Sequence, residues 1–299
     1  MKKEEIKKIY KKKIKKFLHY NFLYFEKSNP NVSDAEFDDL KNEILNLEKD
    51  YKFLNDKDSP SNNVGFKPSK NFKKVNHKVA MLSLANAFEE EDLKNFEKKI
   101  LNFIDKKKNF ILEYSAEPKI DGISASLNYK DGKFVQGLSR GDGKEGEDIT
   151  SNLMTIDDIP KNIKSRDFPE QIDIRGEVFI RNSDFKKIRD KFANPRNAAS
   201  GSLRQKNSED TKKIPLKFIA YTYGYEKGLN VNSQGEFLNN LEKWGFNINP
   251  LNKILSGTKN LIANYQNIEN KRDDLDFDID GIVYKINDIK LQKRLGNVA

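Results

Sequence analysis

Two short runs rich in β-branched and aromatic residues, Phe110–Ala116 and Ile123–Tyr129, enclose the hexapeptide Glu117-Pro-Lys-Ile-Asp-Gly122. Runs of that length and composition predict two strands, with the hexapeptide closing one and opening the next. Gly122 then allows a tight backbone that a ligand can approach closely. The hexapeptide also sets a lysine between two carboxylates. A lysine amine is a nucleophile only when neutral, a state favoured by burial or a neighbouring cation. Glu117 and Asp121 favour the charged form unless a metal or a phosphate changes the local balance. By itself such a motif reads more readily as a β-bend with a surface lysine; the rest of the chain has to decide.

Residues 1–54 read as helical. Ile6, Ile9, Ile14, Phe17 and Leu18 recur at roughly helical spacing among lysines, and a second helix follows with Phe37, Leu40, Ile44 and Leu47 as its buried stripe. Ser33-Asp-Ala-Glu36 predicts a capping box at its start. Residues 55–78 have loop composition, which puts a domain boundary near residue 71. Beyond it, Glu89–Phe103 reads as a helix with Leu93, Phe96, Ile100 and Phe103 on one side, and Lys130-Asp-Gly132 as a hairpin turn. Ile172–Ile180, Ile214–Tyr225 and Asp278–Ile286 read as strands, and Ser183–Phe192 as a helix. A second capping box, Ser233-Gln-Gly-Glu236, opens a helix that stops at Trp244-Gly245, and Leu261, Tyr265 and Ile268 mark another. This order fits an α+β class: a small N-terminal helical domain, then a domain of antiparallel sheets flanked by helices.

A chain of 299 residues can bury a real core, in one large or two modest domains. The net charge of +9 suits a polyanionic partner; abundant lysine, asparagine and isoleucine suit compositional drift just as well. The absence of cysteine removes disulfides and thiolate catalysis, and two histidines leave little scope for a His-based metal site. No apolar run approaches the roughly 18 residues of a membrane span, and the N-terminus lacks the apolar stretch of a signal peptide. A cytoplasmic protein is the simplest expectation, with a monomer as the default.

Four further segments carry chemistry. Ser139–Thr150 interleaves glycines with charges, in a loop that can wrap an anion with Arg140 as a phosphate fork. Glu177, mid-strand in Asp173-Ile-Arg-Gly-Glu-Val-Phe179, pairs with Arg175 or a lysine, or holds a ribose hydroxyl or a metal. Asn194–Gln205 joins small residues to Arg196 and Arg204, letting backbone approach phosphate, with a helix N-terminus after Pro195. Asp280-Gly-Ile-Val-Tyr-Lys285 repeats the first pattern, with Val283 and Lys285 on one strand face and Ile282 and Tyr284 on the other.

In order and spacing, Lys119-Ile-Asp-Gly, Ile174-Arg-Gly-Glu-Val-Phe and Asp280-Gly-Ile-Val-Tyr-Lys resemble the nucleotidyltransferase motifs of polynucleotide ligases. Ser139–Thr150, Asn194–Gln205, Phe277-Asp-Ile-Asp-Gly281, Met81-Leu-Ser-Leu84 and Ser33-Asp-Ala-Glu-Phe-Asp38 look like the bacterial NAD-dependent DNA ligases in particular, over essentially the whole chain. The resemblance implies a helical domain at 1–71 that binds the nicotinamide mononucleotide half of NAD, and an ATP-grasp-like nucleotidyltransferase (adenylation) domain at 72–299.

It further implies that Lys119 attacks the α-phosphate of NAD and becomes lysyl-AMP, and that the AMP then passes to the 5′-phosphate of nicked double-stranded DNA in replication and repair. Glu117 would read the adenine amino group, Tyr221 would stack on adenine, and Ser83 and Leu84 would line the nucleotide site. Glu177 would hold the ribose or magnesium, and Arg140 the ribose or 5′-phosphate. Lys285 would stabilise charge at the α-phosphate, with Asp280 as a magnesium ligand. Arg196 and Arg204 would face DNA. Tyr24 and the segment Asp34, Ala35, Glu36, Phe37, Asp38 would clamp nicotinamide mononucleotide. The chain departs from the family pattern at Phe25, where the family has His or Tyr; at Ser28, often Asp; and at Phe37, usually Tyr. A lost hydroxyl keeps stacking but drops a hydrogen bond worth about 0.5–1.5 kcal/mol, so NAD use with weakened nicotinamide contacts is expected. Leu295–Ala299 falls just before the family's last lysine motif, and the OB-fold, zinc, helix-hairpin-helix and BRCT parts lie outside the sequence. A fragment that self-adenylates slowly and seals nicks poorly is therefore expected. The competing readings are an ATP- or GTP-using relative such as an RNA ligase or capping enzyme, and a binding module without turnover.

Overall fold

The computed structural model describes residues 3–25, 34–56, 58–61, 72–104 and 111–296, with residues 21–25, 34, 35 and 38 described by backbone alone. Its elements, in chain order, are α1 (Lys3–Phe25), α2 (Asp34–Asp50), β1 (Lys74–Asn76), α3 (Glu90–Phe103), β2 (Glu113–Ile120), β3 (Ile123–Lys130), β4 (Lys133–Ser139), β5 (Glu145–Glu147), α4 (Thr150–Leu153), β6 (Gln171–Ile180), α5 (Asn182–Phe185), α6 (Pro195–Leu203), α7 (Ser208–Lys212), β7 (Leu216–Lys227), α8 (Gln234–Lys243), β8 (Lys253–Ser256), α9 (Gly257–Glu269), β9 (Ile279–Ile286) and α10 (Ile289–Leu295). Helices packed on antiparallel sheets make the class α+β, as expected.

α1 and α2 form a core of their own from Ile6, Tyr10, Ile14, Phe17, Leu40, Ile44 and Leu54. Ile9 and Leu18 fall outside the buried stripe and are 40% exposed; Tyr10 takes the place expected of Ile9. The Tyr10 hydroxyl donates to Glu48 Oε1 at 2.5 Å, and Ser59 Oγ donates to the same oxygen, so the loop after α2 folds back on the pair. The capping Ser33 and the domain boundary near residue 71 lie outside the described residues.

Two sheets position the site. One has the order β4-β3-β6-β7 and the other β8-β2-β9, with every neighbouring pair antiparallel. The turn between β3 and β4 has Asp131 at φ 51° and Gly132 at φ 74°, the left-handed pair that a two-residue hairpin requires. Alternation then divides each strand. Ile172, Ile174, Val178 and Ile180 of β6 enter the main core with Leu127 and Tyr129 of β3, Ala198 and Leu203 of α6, and Phe237 and Leu241 of α8. Asp173, Arg175 and Glu177 consequently occupy the opposite face. In the second sheet, Tyr114 and Ile286 pack with Leu112, Ile100 of α3 and Leu261 of α9, which turns Ser115, Glu117, Lys119 and Lys285 the other way. Of the apolar side expected on α3, only Ile100 is buried; Phe96 and Phe103 are 40% and 53% exposed.

β2 runs on through Ile120, so Glu117, Pro118 and Lys119 belong to a strand and the corner comes only at Asp121-Gly122. Pro118 is tolerated because β8 ends its pairing at Ala116 and leaves no donor to be missed on that side. Gly122 answers to close packing: a Cβ there would lie 2.4 Å from the Val178 carbonyl oxygen of β6. Gly122→Ala is therefore expected to destabilise the domain by about 1–3 kcal/mol, read as a lowered midpoint of thermal unfolding. The helix expected at Ser183–Phe192 is broken into α5 and a 3₁₀ turn at Arg189–Lys191. Pro195 forces Asn194 into extended backbone (φ −156°), so the chain must straighten before α6 begins.

Candidate active site

The two polar faces meet where β2 turns into β3. Lys119 Nζ donates to Asp280 Oδ2, an ion pair between β2 and the start of β9. The flanking carboxylates expected to hold Lys119 are engaged elsewhere. Asp121, past the strand end, pairs with Arg196 of α6. Glu117 is buried, and its carboxylate accepts from Ser115 Oγ (2.8 Å), Gln234 Nε2 (2.9 Å) and Lys285 Nζ (2.6 Å). Lys285 also donates to the Tyr221 carbonyl at 2.8 Å and lies 5.5 Å from the centre of the Tyr221 ring. This network ties the sheets together through β2, β7, β9 and the first turn of α8.

Glu177 does not pair with Arg175. Register sets it opposite Ser124, whose hydroxyl donates to it at 2.9 Å. Burial pushes the Glu177 carboxyl up to about 7, against the opposing pull of Arg196, Lys119 and the Ser124 bond, while Asp280 adds to the rise. The neutral form is thus favoured by folding. That contribution is complete below the ordinary value of 4.5 and is lost as pH rises through about 7. Denaturant unfolding between about pH 5 and about pH 8 should show wild-type stability falling relative to Glu177→Gln; parallel profiles would exclude the shift.

Tyr221 owes its place to a β-bulge. The β6–β7 register passes from Gly176–Ala220 to Arg175–Thr222, so Tyr221 and Thr222 together oppose Arg175. Burial raises the Tyr221 hydroxyl above its ordinary range, and it lies 3.5 Å from Ser124 Oγ.

Arg175 performs an unanticipated task. It is buried, its Nη1 donates to the Ala80 carbonyl at 3.2 Å and its Nη2 to the Val79 carbonyl, and Gly224 leaves the room its guanidinium occupies. Met81 N donates to the Gly143 carbonyl at 2.8 Å. Arg140 completes the clasp, reaching Ser83 Oγ at 3.1 Å and the Met81 carbonyl at 3.4 Å. The segment 77–83 is thereby strapped to β6 and to the loop after β4. The glycine loop does not offer an amide cradle. Gly141 and Gly143, at φ 58° and 86°, close a turn whose Lys144 and Glu145 amides donate to Asp142 Oδ1. Arg140 is the member of that loop that interacts with Glu177, Tyr221 and Arg196.

The structure therefore gathers Glu117, Lys119, Arg140, Glu177, Arg196, Tyr221, Asp280 and Lys285 around one corner, with Ser83 linked through Arg140. Leu84 is 58% exposed on the strap. Arg204 pairs with the buried Glu147 at 3.2 Å. Glu36 is exposed on α2, and Phe37 stacks on Phe17 with ring centres 5.1 Å apart. The side chains of Tyr24, Asp34, Ala35 and Asp38 lie outside the described residues. Sequence reasoning missed Ser115, Ser124 and Gln234 as partners, and it set Asp121 beside Lys119 where the structure pairs it with Arg196. Only Ser115, two residues from Glu117 on the same strand face, left a signal.

The model of the NAD-dependent DNA ligase adenylation domain matches residues 69–299, and that of the DNA ligase-like N-terminal NAD+-binding domain matches residues 3–65. A DNA ligase of Pelagibacter ubique is 66% identical over 97% of this chain and 43% of its own length. Those of Parvibaculum lavamentivorans and Rickettsia massiliae are 45% and 42% identical over 93% and 99% of this chain, and 40% and 44% of theirs. The chain thus spans less than half the length of the curated relatives it matches. With two adjoining family models accounting for nearly all of its residues, the chain belongs to the NAD-dependent DNA ligase family, in its N-terminal NAD+-binding and adenylation regions.

Proposed function

We propose that this chain carries the adenylation step of an NAD-dependent DNA ligase. Neutral Lys119 Nζ attacks the α-phosphorus of NAD. A nitrogen–phosphorus bond forms, the bond to the bridging oxygen breaks, nicotinamide mononucleotide departs with the electron pair, and the nitrogen's surplus proton passes to solvent, leaving lysyl-AMP. The AMP is later passed to the 5′-phosphate of a nick in double-stranded DNA, for replication and repair. The observation that carries this reading is the convergence of Lys119, Asp280, Glu177, Arg140 and Arg196 from five separate segments on one corner.

Each residue has work in this scheme. Positioning and electrostatics dominate such chemistry, and the Arg140 and Arg196 guanidiniums supply positive charge for a phosphate. Tyr221 offers a ring for adenine, and Glu117 a fixed carboxylate acceptor for its amino group. Lys285, held by Glu117, is available to the α-phosphate. The donor set also suits magnesium: Asp280 and Glu177 supply hard oxygens near Lys119, and one or two carboxylates plus substrate phosphates are what this ion ordinarily takes. Bound there, it would neutralise charge on the transferring phosphate and draw Glu177 toward its ionised form. The helical domain at 1–71, with Tyr24 and Asp34–Asp38, takes the nicotinamide mononucleotide half, and 72–299 is the nucleotidyltransferase. A cytoplasmic monomer is part of the same reading; no helix of the described residues is long and apolar enough to cross a membrane.

Intact mass after incubation with magnesium and NAD, or magnesium and ATP, tests the reading. A gain of one AMP from NAD alone, reversed by nicotinamide mononucleotide, supports it. A gain from ATP alone overturns NAD dependence.

A further inference from the structure

α1 and α2 carry opposite charge. α1 has eight lysines, Lys3, Lys7, Lys8, Lys11, Lys12, Lys13, Lys15 and Lys16, against Glu4 and Glu5. α2 has seven carboxylates against Lys41 and Lys49. The two charges are hardly neutralised across the helix pair, because Lys13–Glu43, at 2.6 Å, is the one ion pair between α1 and α2 among the described residues. Geometry explains this. Ile6, Tyr10, Ile14 and Phe17 turn one side of α1 into the shared core. Lys8, Lys11, Lys12 and Lys15 follow the i, i+3, i+4, i+7 spacing along the opposite side. All four are exposed, and none forms an ion pair among the described residues. The result is a straight cationic stripe about 10 Å long on a rigid helix.

We propose that the Lys8–Lys11–Lys12–Lys15 stripe of α1 binds the phosphate backbone of duplex DNA. Its choice of partner rests on the ligase reading above, but three features of the stripe favour duplex over the other polyanions. It has no exposed aromatic side chain between the lysines, whereas sites for single strands stack bases on aromatic rings. Among the described residues, the apolar side of α1 packs on α2 and leaves only Ile9 and Leu18 partly exposed, two isolated side chains and not a continuous face to enter a lipid interface. Lysine ammonium groups at fixed intervals neutralise phosphates without reading sequence.

The test is fluorescence anisotropy of a labelled nicked duplex, titrated with the whole chain across a salt series. In the variant carrying Lys8→Gln, Lys11→Gln, Lys12→Gln and Lys15→Gln, the slope of log affinity against log salt should become shallower by about 3, and low-salt affinity should fall at least about tenfold. Arginine at the same four positions should bind as wild type does, which separates lost charge from lost folding. A control with Lys94→Gln, Lys98→Gln, Lys99→Gln and Lys253→Gln removes equal charge elsewhere and should keep the wild-type slope. An unchanged slope in the α1 variant, an equal loss in the control, or equal salt dependence on a single strand would each overturn the proposal. Lysyl-AMP formation from NAD, measured by mass on the same samples, should be retained in the α1 variant. Its absence in wild type would defeat the adenylation reading while the binding comparison still decides this one.

Discussion

Lys119→Ala is expected to abolish the gain of one AMP from NAD that the proposed function gives the wild-type chain, lowering single-turnover adenylation to below detection. No other amine in the cleft can substitute. Two of the three Lys285 donors are held by Glu117 at 2.6 Å and by the Tyr221 carbonyl at 2.8 Å, which fixes its ammonium in the wall joining the two sheets as a donor to the α-phosphate and not as the nucleophile. Lys119 is the more open of the two, 46% exposed, and Asp280 is its ion-pair partner among the described residues. Fold stability should barely change, because an ion pair this exposed contributes little. Intact mass and a thermal melt on the same sample check both halves. Retained mass gain in the alanine variant would move the nucleophile elsewhere.

Glu117→Leu should do the reverse, costing stability first. Its carboxylate receives three donors, from Ser115, Gln234 and Lys285, and removing it leaves them without their acceptor in a poorly hydrated place. Breaking a buried pair by deleting one partner costs about 3–5 kcal/mol. Lys285 keeps 20% of its side chain exposed, so the lower end, about 3 kcal/mol, is expected. Adding Lys285→Met should restore at least about 1 kcal/mol by removing the stranded ammonium. Denaturant unfolding of both single variants and the double variant gives the coupling directly. A double variant less stable than Glu117→Leu alone would show that the pair is not what holds these strands together.

Much of the scaffold could be read from local pattern. The alternation of Ile172, Ile174, Val178 and Ile180 gives β6 and its polar face, Asp131-Gly132 gives the hairpin, and Trp244-Gly245 ends α8 where expected. The second capping box holds only in part: Ser233 accepts from the Glu236 amide, while the Glu236 carboxylate takes the Asn232 amide, one residue early. What escaped were relations across the fold. Nothing local says that Asp280, rather than Glu117 or Asp121, faces Lys119, since strand register fixes that pairing. Nor does local pattern reveal the bulge that re-aims Tyr221, or that Gly122 is required by the Val178 carbonyl. Arg175 and Glu177 look like natural partners two residues apart on one strand face. The strap decides otherwise, because two backbone carbonyls claim the guanidinium first.

The sheet that bears Lys119 is stitched from strands far apart in the chain: β2 pairs with β8 and β9, and the Lys119–Asp280 and Glu117–Lys285 pairs span 161 and 168 residues. Contacts of such separation pay a large loop-closure entropy before they return any stabilisation, and they form late. On the ribosome, β2 waits for β9. A nascent chain that has released Lys119 but not yet β9 has neither the Asp280 partner of that lysine nor the Lys285 clamp on Glu117, so under the proposed function it is not yet ready to take AMP from NAD. The topology makes competence for the reaction coincide with near completion of this part of the polypeptide.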